Sequence, residues 1–141
     1  MDNRLEHERE HGRKISENAE SVWNWASPAG QVRADRRAKY FVDVAKITKS
    51  DKVLEIGCGT GLFTKKVFDM TGSAITATDL SIDLLDQAKA KLPNASFLID
   101  DAMKMSFSDE SFDVVDATVE TFVDEVVAKY QRKYNIRKKN N

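Results

Sequence analysis

The sequence is poor in several residue types, and each shortage excludes a class of protein. It contains one cysteine, Cys58, in 141 residues, so no disulfide can form within the chain, and a reducing compartment is expected. No uninterrupted apolar run approaches the roughly 18 residues that a membrane-spanning helix requires. The charged N-terminus lacks the apolar segment of a secretion signal. These shortages predict a cytoplasmic protein without a membrane span.

Charge of one sign is also in little excess. The formal net charge is −1, from 23 acidic and 22 basic residues, which gives no overall attraction to nucleic acid or to an anionic membrane. Basic residues are concentrated from Lys129 onward, where no acid occurs and where Tyr130 and Tyr134 are interleaved. This pattern favours a solvated basic tail, and a contact with nucleic acid or phosphate is the alternative. Nucleic acid is therefore not the expected partner.

After residue 50, short apolar runs alternate with stretches of helical period. Strands are predicted at about 52–56, 74–79, 95–99 and 112–118, and helices at about 31–47, 60–70 and 81–92. Ser81 is a plausible N-cap, and Met70 and Ile82 are expected to face inward. Such alternation predicts an α/β fold with a parallel sheet and right-handed crossovers.

A glycine-rich loop follows the first predicted strand. Gly57, Gly59 and Gly61 stand at alternate positions, where they allow a sharp turn and a close approach of the backbone to a ligand. Asp79 ends the next apolar run, 18 residues after Gly61, and is placed to accept hydrogen bonds from a ribose diol. The pattern predicts a nucleoside-binding βαβ unit.

A second signature lies at residues 100–115, Asp-Asp-Ala-Met-Lys-Met-Ser-Phe-Ser-Asp-Glu-Ser-Phe-Asp-Val-Val. Together with the glycine loop, it resembles class I S-adenosylmethionine (SAM)-dependent methyltransferases, in particular the small-molecule, ubiquinone-biosynthesis-like group. Asp100, Met105 and Ser106 replace the glycine, leucine and proline usual in that signature. The resemblance covers about residues 30–124. It implies transfer of a methyl group from SAM to a small, lipid- or quinone-like acceptor, leaving S-adenosylhomocysteine.

The resemblance implies roles for residues of the first strand and the loop. Glu55 would help to hold the methionine ammonium group. Gly57, Cys58, Gly59 and Gly61 would lay their backbone along the methionine and the ribose. The nicotinamide-binding alternative is disfavoured because the dinucleotide motif has one more residue between its second and third glycines.

The resemblance also assigns roles at the ends of the later strands. Asp79 would bind both ribose hydroxyls, and Leu80 would pack on the adenine. Asp101 would accept from the adenine amino group, while the Ala102 N–H reaches a ring nitrogen. Thr118 would lie beside the reactive methyl group.

Simpler explanations exist for several of these residues. Glu55 could cap or pair locally, Asp79 could be a loop acid, and Asp101 could be an ordinary turn residue. Asp113 is expected to support the fold. Cys58 is expected to be a small buried residue, because no nearby histidine completes a nucleophilic pair.

Two N-terminal features are also open to interpretation. His7 and His11 fit the H-E-x-x-H pattern of zinc proteases, but the segment is terminal, charged on all sides and without a third histidine, so no metal site is predicted. Trp23 and Trp25 are expected to pack or to anchor a lid, with substrate stacking as the alternative.

The resemblance leaves part of the family fold without a counterpart. That fold has seven strands in the order 3-2-1-4-5-7-6, and this chain supplies four, in the order 3-2-1-4, as a Rossmann-like sheet with helices on both faces. We expect an N-terminal helical arm or lid (1–30), an incomplete SAM-binding domain (31–124) and a basic C-terminal helix or tail (125–141). Glu120 is the candidate for a general base.

An exposed fourth strand would invite pairing with a second copy. A non-catalytic or truncated SAM-binding module, completed by a partner or a second copy, is therefore the alternative function.

Overall fold

A computed structural model describes residues 3–15, 26–101 and 104–117. Trp23, Trp25, Ala102, Thr118, Glu120 and the predicted tail at 125–141 fall outside the described residues. The elements are α1 (Asn3–Ile15), α2 (Pro28–Ala45), β1 (Lys52–Ile56), α3 (Leu62–Thr71), β2 (Ala74–Asp79), α4 (Ile82–Lys91), β3 (Ser96–Ile99) and β4 (Val114–Ala117). Within these residues, every helix is too short or too polar to cross a bilayer.

The four strands form one parallel sheet in the order β3-β2-β1-β4. The predicted α/β class and strand order are confirmed. Because all strands run the same way, their carboxyl ends lie along one edge of the sheet. The register there pairs Glu55 of β1 with Asp116 of β4, and Asp79 of β2 with Ile99 of β3.

Apolar side chains of α2, α3 and α4 pack on one face of the sheet. Ala38, Val67 and Val53 belong to one cluster on this face, and Leu85 and Ala77 to a second cluster beside it. On the opposite face, Leu54, Ile56 and Val115 are also buried. The sequence predicted helices on both faces of the sheet. Within the described residues, the helices that contribute to these clusters, α2, α3 and α4, lie on the face that carries Val53.

Helix α2 begins at Pro28, about three residues before its predicted start. Ser27 caps it, because the Ser27 hydroxyl oxygen accepts from the Gly30 N–H at 3.0 Å. Pro28 fits the first helical turn, where its missing N–H costs nothing. The helix ends at Ala45, and the C-cap residue Lys46 adopts a left-handed conformation with φ of 55°. The signal for the true start was present in the Ser-Pro pair.

Two residues predicted to face inward do not. Met70 is 45% exposed and Ile82 is 47% exposed. In α3 the inward stripe includes Thr64 and Val67, and in α4 it includes Leu84 and Leu85. Since each helical residue turns the chain by about 100°, an error of one or two residues in the stripe moves a side chain to the surface.

Helix α1 packs on α4. Gly12 makes the contact possible, since a Cβ atom there would lie 2.6 Å from the Cβ atom of Ser81. Helix α1 therefore docks beside the N-terminus of α4.

Candidate active site at the carboxyl ends of the strands

The glycine loop turns the chain from β1 into α3. The N–H groups of Gly57 and Cys58 both donate to the Thr78 carbonyl oxygen, at 2.8 and 3.0 Å, which holds the loop against the end of β2. Gly61 has φ of 81°, a conformation that side chains disfavour, and a Cβ atom there would lie 2.8 Å from the Cβ atom of Ala88. The loop therefore requires glycine both for its turn and for its packing on α4.

Asp79 links the glycine loop to the start of α4. One carboxylate oxygen accepts from the Gly59 N–H and the other from the Ser81 N–H, each at 3.0 Å. Each oxygen retains a further lone pair, so the carboxylate can still accept hydrogen bonds from a ligand. The backbone fixes the acid at the carboxyl end of β2.

Glu55 is a buried carboxyl group at the end of β1, with 5% of its surface exposed. The Thr64 hydroxyl of α3 donates to one of its oxygens. Burial, and then the nearby carboxylate of Asp116, raise the pKa of Glu55 to about 8. Thr64 opposes that shift in part, and Asp79 adds to it. Near neutral pH, Glu55 holds a proton unless a cation approaches.

A cleft of about 560 Å³ opens beside Glu55, between α2, α3 and the ends of β1 and β4. Burial raises the pKa of Asp116 in this cleft, while the Arg37 guanidinium lowers it. Arg37 also lies over the Phe63 ring, 5.2 Å from the ring centroid. The lining residues are Arg37, Ala38, Tyr40, Phe41, Glu55, Gly57, Cys58, Gly59, Thr60, Leu62, Phe63, Val67 and Asp116. As far as the described residues show, the cleft thus combines aromatic walls with two carboxyl groups and one guanidinium.

Asp101 follows β3 and forms an ion pair with α1. The Arg4 guanidinium donates to one Asp101 oxygen at 2.8 Å and also contacts Glu8 at 2.8 Å. The Asp100 carboxylate stabilises the turn by accepting from the Asp101 N–H at 3.0 Å and from the Ser106 hydroxyl at 3.1 Å. The N-terminal helix therefore reaches the same edge of the sheet as the glycine loop.

Comparison with known proteins assigns this arrangement to a family. A family model described as a methyltransferase domain matches residues 53–135, more than half of the chain. This chain belongs to the methyltransferase-domain family. A demethylmenaquinone methyltransferase of Chlorobaculum tepidum is 39% identical over 69 residues, which cover 49% of this chain and 28% of that relative. This chain thus spans about a third of the length of the curated relatives that it matches.

Solved structures agree on the fold. Haemonchus contortus phosphoethanolamine N-methyltransferase 1, in complex with phosphoethanolamine and S-adenosylhomocysteine, superimposes with a TM-score of 0.70 at 19% identity, covering 92% of this chain and 30% of that one. Streptomyces coelicolor geranyl diphosphate C-methyltransferase, in complex with Mg²⁺, geranyl diphosphate and S-adenosylhomocysteine, gives 0.62 at 13%, covering 69% and 41%. The predicted cofactor, SAM, is confirmed at the level of the family.

The predicted cofactor residues differ in their position relative to the cleft. Glu55, Gly57, Cys58 and Gly59 line the cleft. Asp79, Leu80 and Asp101 lie outside its lining, at the ends of β2 and β3, and Gly61 is buried against Ala88. Ala102 and Thr118 fall outside the described residues.

Two further residues behave as expected from the sequence. Burial raises the pKa of the Cys58 thiol, so this buried group is a poor nucleophile. Asp113 supports the sheet, because its carboxylate accepts from the Lys52 N–H at 2.9 Å and its own N–H donates to the Lys52 carbonyl oxygen.

The sequence prediction missed Arg37 and Asp116 as cleft residues. Asp116 directly follows the Phe-Asp-Val-Val segment. Because successive side chains of a strand point to opposite faces, the polar Asp116 next to the apolar Val115 was the available sequence signal. Nothing in the sequence around Arg37 distinguishes it from the neighbouring surface arginines of α2.

Proposed function

We propose that this methyltransferase domain binds SAM along the carboxyl ends of β1, β2 and β3 and presents its methyl group to a small-molecule acceptor. The observation that carries the proposal is the glycine loop, which has the Asp79 carboxylate on one side and the cleft containing Glu55 on the other. A ligand with a diol at one end and an amino acid at the other fits this order of groups.

The adenosine end is assigned to the loops after β2 and β3. Asp79 retains acceptor capacity toward two hydroxyl groups, and its two backbone donors hold it in place. Leu80 offers a partly exposed apolar surface for the adenine ring. Asp101 would accept from the adenine amino group, with the Ala102 N–H as the donor to the ring.

The amino-acid end is assigned to the cleft. A cationic ammonium or sulfonium group is favoured by carboxylates, and Glu55 lines the cleft beside Gly57 and Gly59 of the glycine loop. Among the described lining residues the basic group is Arg37, which suits the carboxylate of the methionine. This lining differs from a phosphate cradle, where basic groups predominate.

When bound, SAM supplies a methyl group that its positive sulfonium has already activated. The chain's own residues would align this group with the acceptor and exclude water, since proximity and orientation supply most of the rate enhancement in such a displacement. Tyr40, Phe41 and Phe63 offer apolar, aromatic walls that suit a lipid- or quinone-like acceptor. The name of the demethylmenaquinone methyltransferase relative supports that acceptor class.

The roles of the outer segments are part of the same proposal. Residues 1–30 act as an arm or lid, residues 31–124 as the cofactor-binding domain, and residues 125–141 as a basic tail. Arg4 supports the lid, because it joins α1 to Asp101. Thr118 remains assigned to the surroundings of the methyl group, and Glu120 remains the candidate general base for an acceptor that must lose a proton.

Calorimetric titration of S-adenosylhomocysteine into the purified chain tests the proposal. We expect binding by the wild-type protein and a loss of roughly hundredfold or more in Asp79→Ala, since each charge-assisted hydrogen bond contributes about 1.5–3 kcal/mol. Asp86→Ala is the matched control, because it removes an exposed aspartate from the neighbouring helix α4.

Two results would contradict the proposed site. One is a folded wild-type chain that shows no heat of binding. The other is an Asp79→Ala variant that binds as tightly as Asp86→Ala. Circular dichroism of all three proteins separates loss of the site from loss of the fold.

A second candidate function is a cofactor-binding module that is catalytically incomplete by itself. It is favoured because the chain spans about a third of the curated relatives and because, within the described residues, β4 pairs with β1 alone. Such a module binds S-adenosylhomocysteine but methylates an acceptor only with a partner or a second copy present. Binding without turnover by the isolated chain distinguishes it from the first proposal.

A further inference from the structure

Two carboxyl groups face one another across β1 and β4. Glu55 and Asp116 are register partners in neighbouring parallel strands, so their side chains leave the same face of the sheet, about 4.8 Å apart along the hydrogen-bonding direction. Both line the cleft. Asp116 is partly exposed, and among the described residues none donates a hydrogen bond to its carboxylate. The sheet thus presents a pair of acids to one ligand-sized space.

Two neighbouring carboxylates repel each other unless one of them is protonated or a cation binds between them. Burial raises the pKa of both groups, and the charge of Asp116 raises that of Glu55 further. The positive charge of Arg37, from α2, lowers the pKa of Asp116 and so opposes part of the effect of burial. A ligand with a positive group stabilises both carboxyl groups in their charged form, so that Glu55 no longer needs to hold a proton.

We propose that Asp116 is a second carboxylate for the ammonium group of the cofactor's methionine, so that Glu55 and Asp116 hold this group together. This inference rests on the proposed function and adds to it a residue on a different strand from the glycine loop. Asp116 acts as a positioning residue: by fixing the amino-acid end, it fixes the direction in which the sulfonium methyl points. The adenosine end lies on the other side of the loop and does not depend on it.

The pairing also links binding to proton release. The groups that face Glu55 are Asp116 from β4, Asp79 from β2, the Cys58 thiol of the loop and the Thr64 hydroxyl of α3, and Arg37 and Tyr40 line the cleft from α2. Near neutral pH Glu55 holds a proton, which must leave when the ammonium group binds. The affinity for a ligand with this group therefore increases from pH 6 to pH 8, because Glu55, with a pKa of about 8, loses its proton more easily as the pH rises.

Two ligands that differ only at the amino-acid end test the inference. S-adenosylhomocysteine carries the ammonium group, and 5′-methylthioadenosine has the same nucleoside without it. At pH 8 we expect Asp116→Asn to weaken S-adenosylhomocysteine binding by about tenfold or more and to leave 5′-methylthioadenosine binding unchanged. Asp43→Asn, at an exposed position of α2, is the matched control and should alter neither affinity.

Equal affinity of wild-type and Asp116→Asn for S-adenosylhomocysteine would overturn the inference, as would an equal loss for both ligands. A wild-type chain that binds neither ligand overturns the proposed function instead. If Asp116→Asn does not fold, the wild-type protein decides alone: calorimetry in two buffers of different ionisation enthalpy should detect proton release with S-adenosylhomocysteine and none with 5′-methylthioadenosine. Equal proton release with both ligands would contradict the inference.

Discussion

At the scale of single residues, Glu55 couples the stability of the fold to pH. Its pKa is about 8 in the folded chain, against an ordinary value of 4.5. Between these two values the folded state retains a proton that the unfolded state releases, so the free energy of unfolding falls as pH rises through this window. Below the window both states are protonated, and Glu55 then carries no electrostatic cost.

Replacement of Glu55 by Gln is predicted to flatten this dependence. Gln keeps an oxygen that can accept from the Thr64 hydroxyl but cannot ionise. Thermal denaturation should therefore show little difference between the variant and the wild type at pH 4.5, and a more stable variant at pH 8. A variant whose melting temperature falls in parallel with that of the wild type would show that Glu55 is not the titrating group.

Local motifs made some site positions predictable and left others hidden. Glu55 and Asp79 adjoin the glycine loop and the end of the second strand, so their positions follow from short-range pattern. Asp116 and Arg37 enter the cleft from β4 and α2, and only the packing of those elements brings them near Glu55. The ion pair between Arg4 and Asp101 joins residues 97 positions apart, beyond any local signal.

At the scale of elements, two glycines have similar backbone conformations but differ in how closely neighbouring atoms surround them. Gly61 has φ of 81° and lies against Ala88, while Gly72, which ends α3, has φ of 66° and only ordinary contact distances to the Lys49 side chain. The first therefore serves both the turn and the packing of the loop on α4, and the second serves the turn alone.

We predict that Gly61→Ala destabilises the fold more than Gly72→Ala. Both variants incur the cost of a left-handed alanine, about 1–2 kcal/mol, and Gly61→Ala adds a clash with the backbone and side chain of Ala88. Urea denaturation of the two variants measures the difference in free energy of unfolding. Equal losses would mean that α4 can move aside without cost.

The boundaries of elements were predicted best where strong signals mark them. β1 and β2 were placed correctly because short apolar runs end at Gly57 and Asp79. The start of α2 was misplaced because Pro28 and Gly30 suggested an interruption, although proline is acceptable in the first turn of a helix. The inward faces of α3 and α4 were misassigned at Met70 and Ile82 because several neighbouring stripes contain apolar residues.

In the molecule as a whole, β4 is an end strand of the sheet that the described residues form. Within the described residues β4 has one strand partner, and a sheet edge carries N–H and C=O groups that can pair with another chain. We propose that a second copy pairs there, which is one of the two assemblies, partner or second copy, that the incomplete-module alternative allows.

Sedimentation velocity over a wide range of protein concentrations tests this association. We expect the mean sedimentation coefficient to increase with concentration, and the increase to persist in high salt because strand pairing depends on backbone hydrogen bonds rather than on charge. A single monomeric species throughout the range would contradict pairing through β4.

The docking of α1 has a consequence for the order in which the chain folds during synthesis. Helix α1 precedes α4 and Asp101 in the sequence, so it is made before them, yet it packs on α4 and its Arg4 pairs with Asp101. A highly polar helix of 13 residues gains little stability alone, so it must wait for its binding surface to leave the ribosome. Helix α1 thus reaches its native position only after elements that are made later than it.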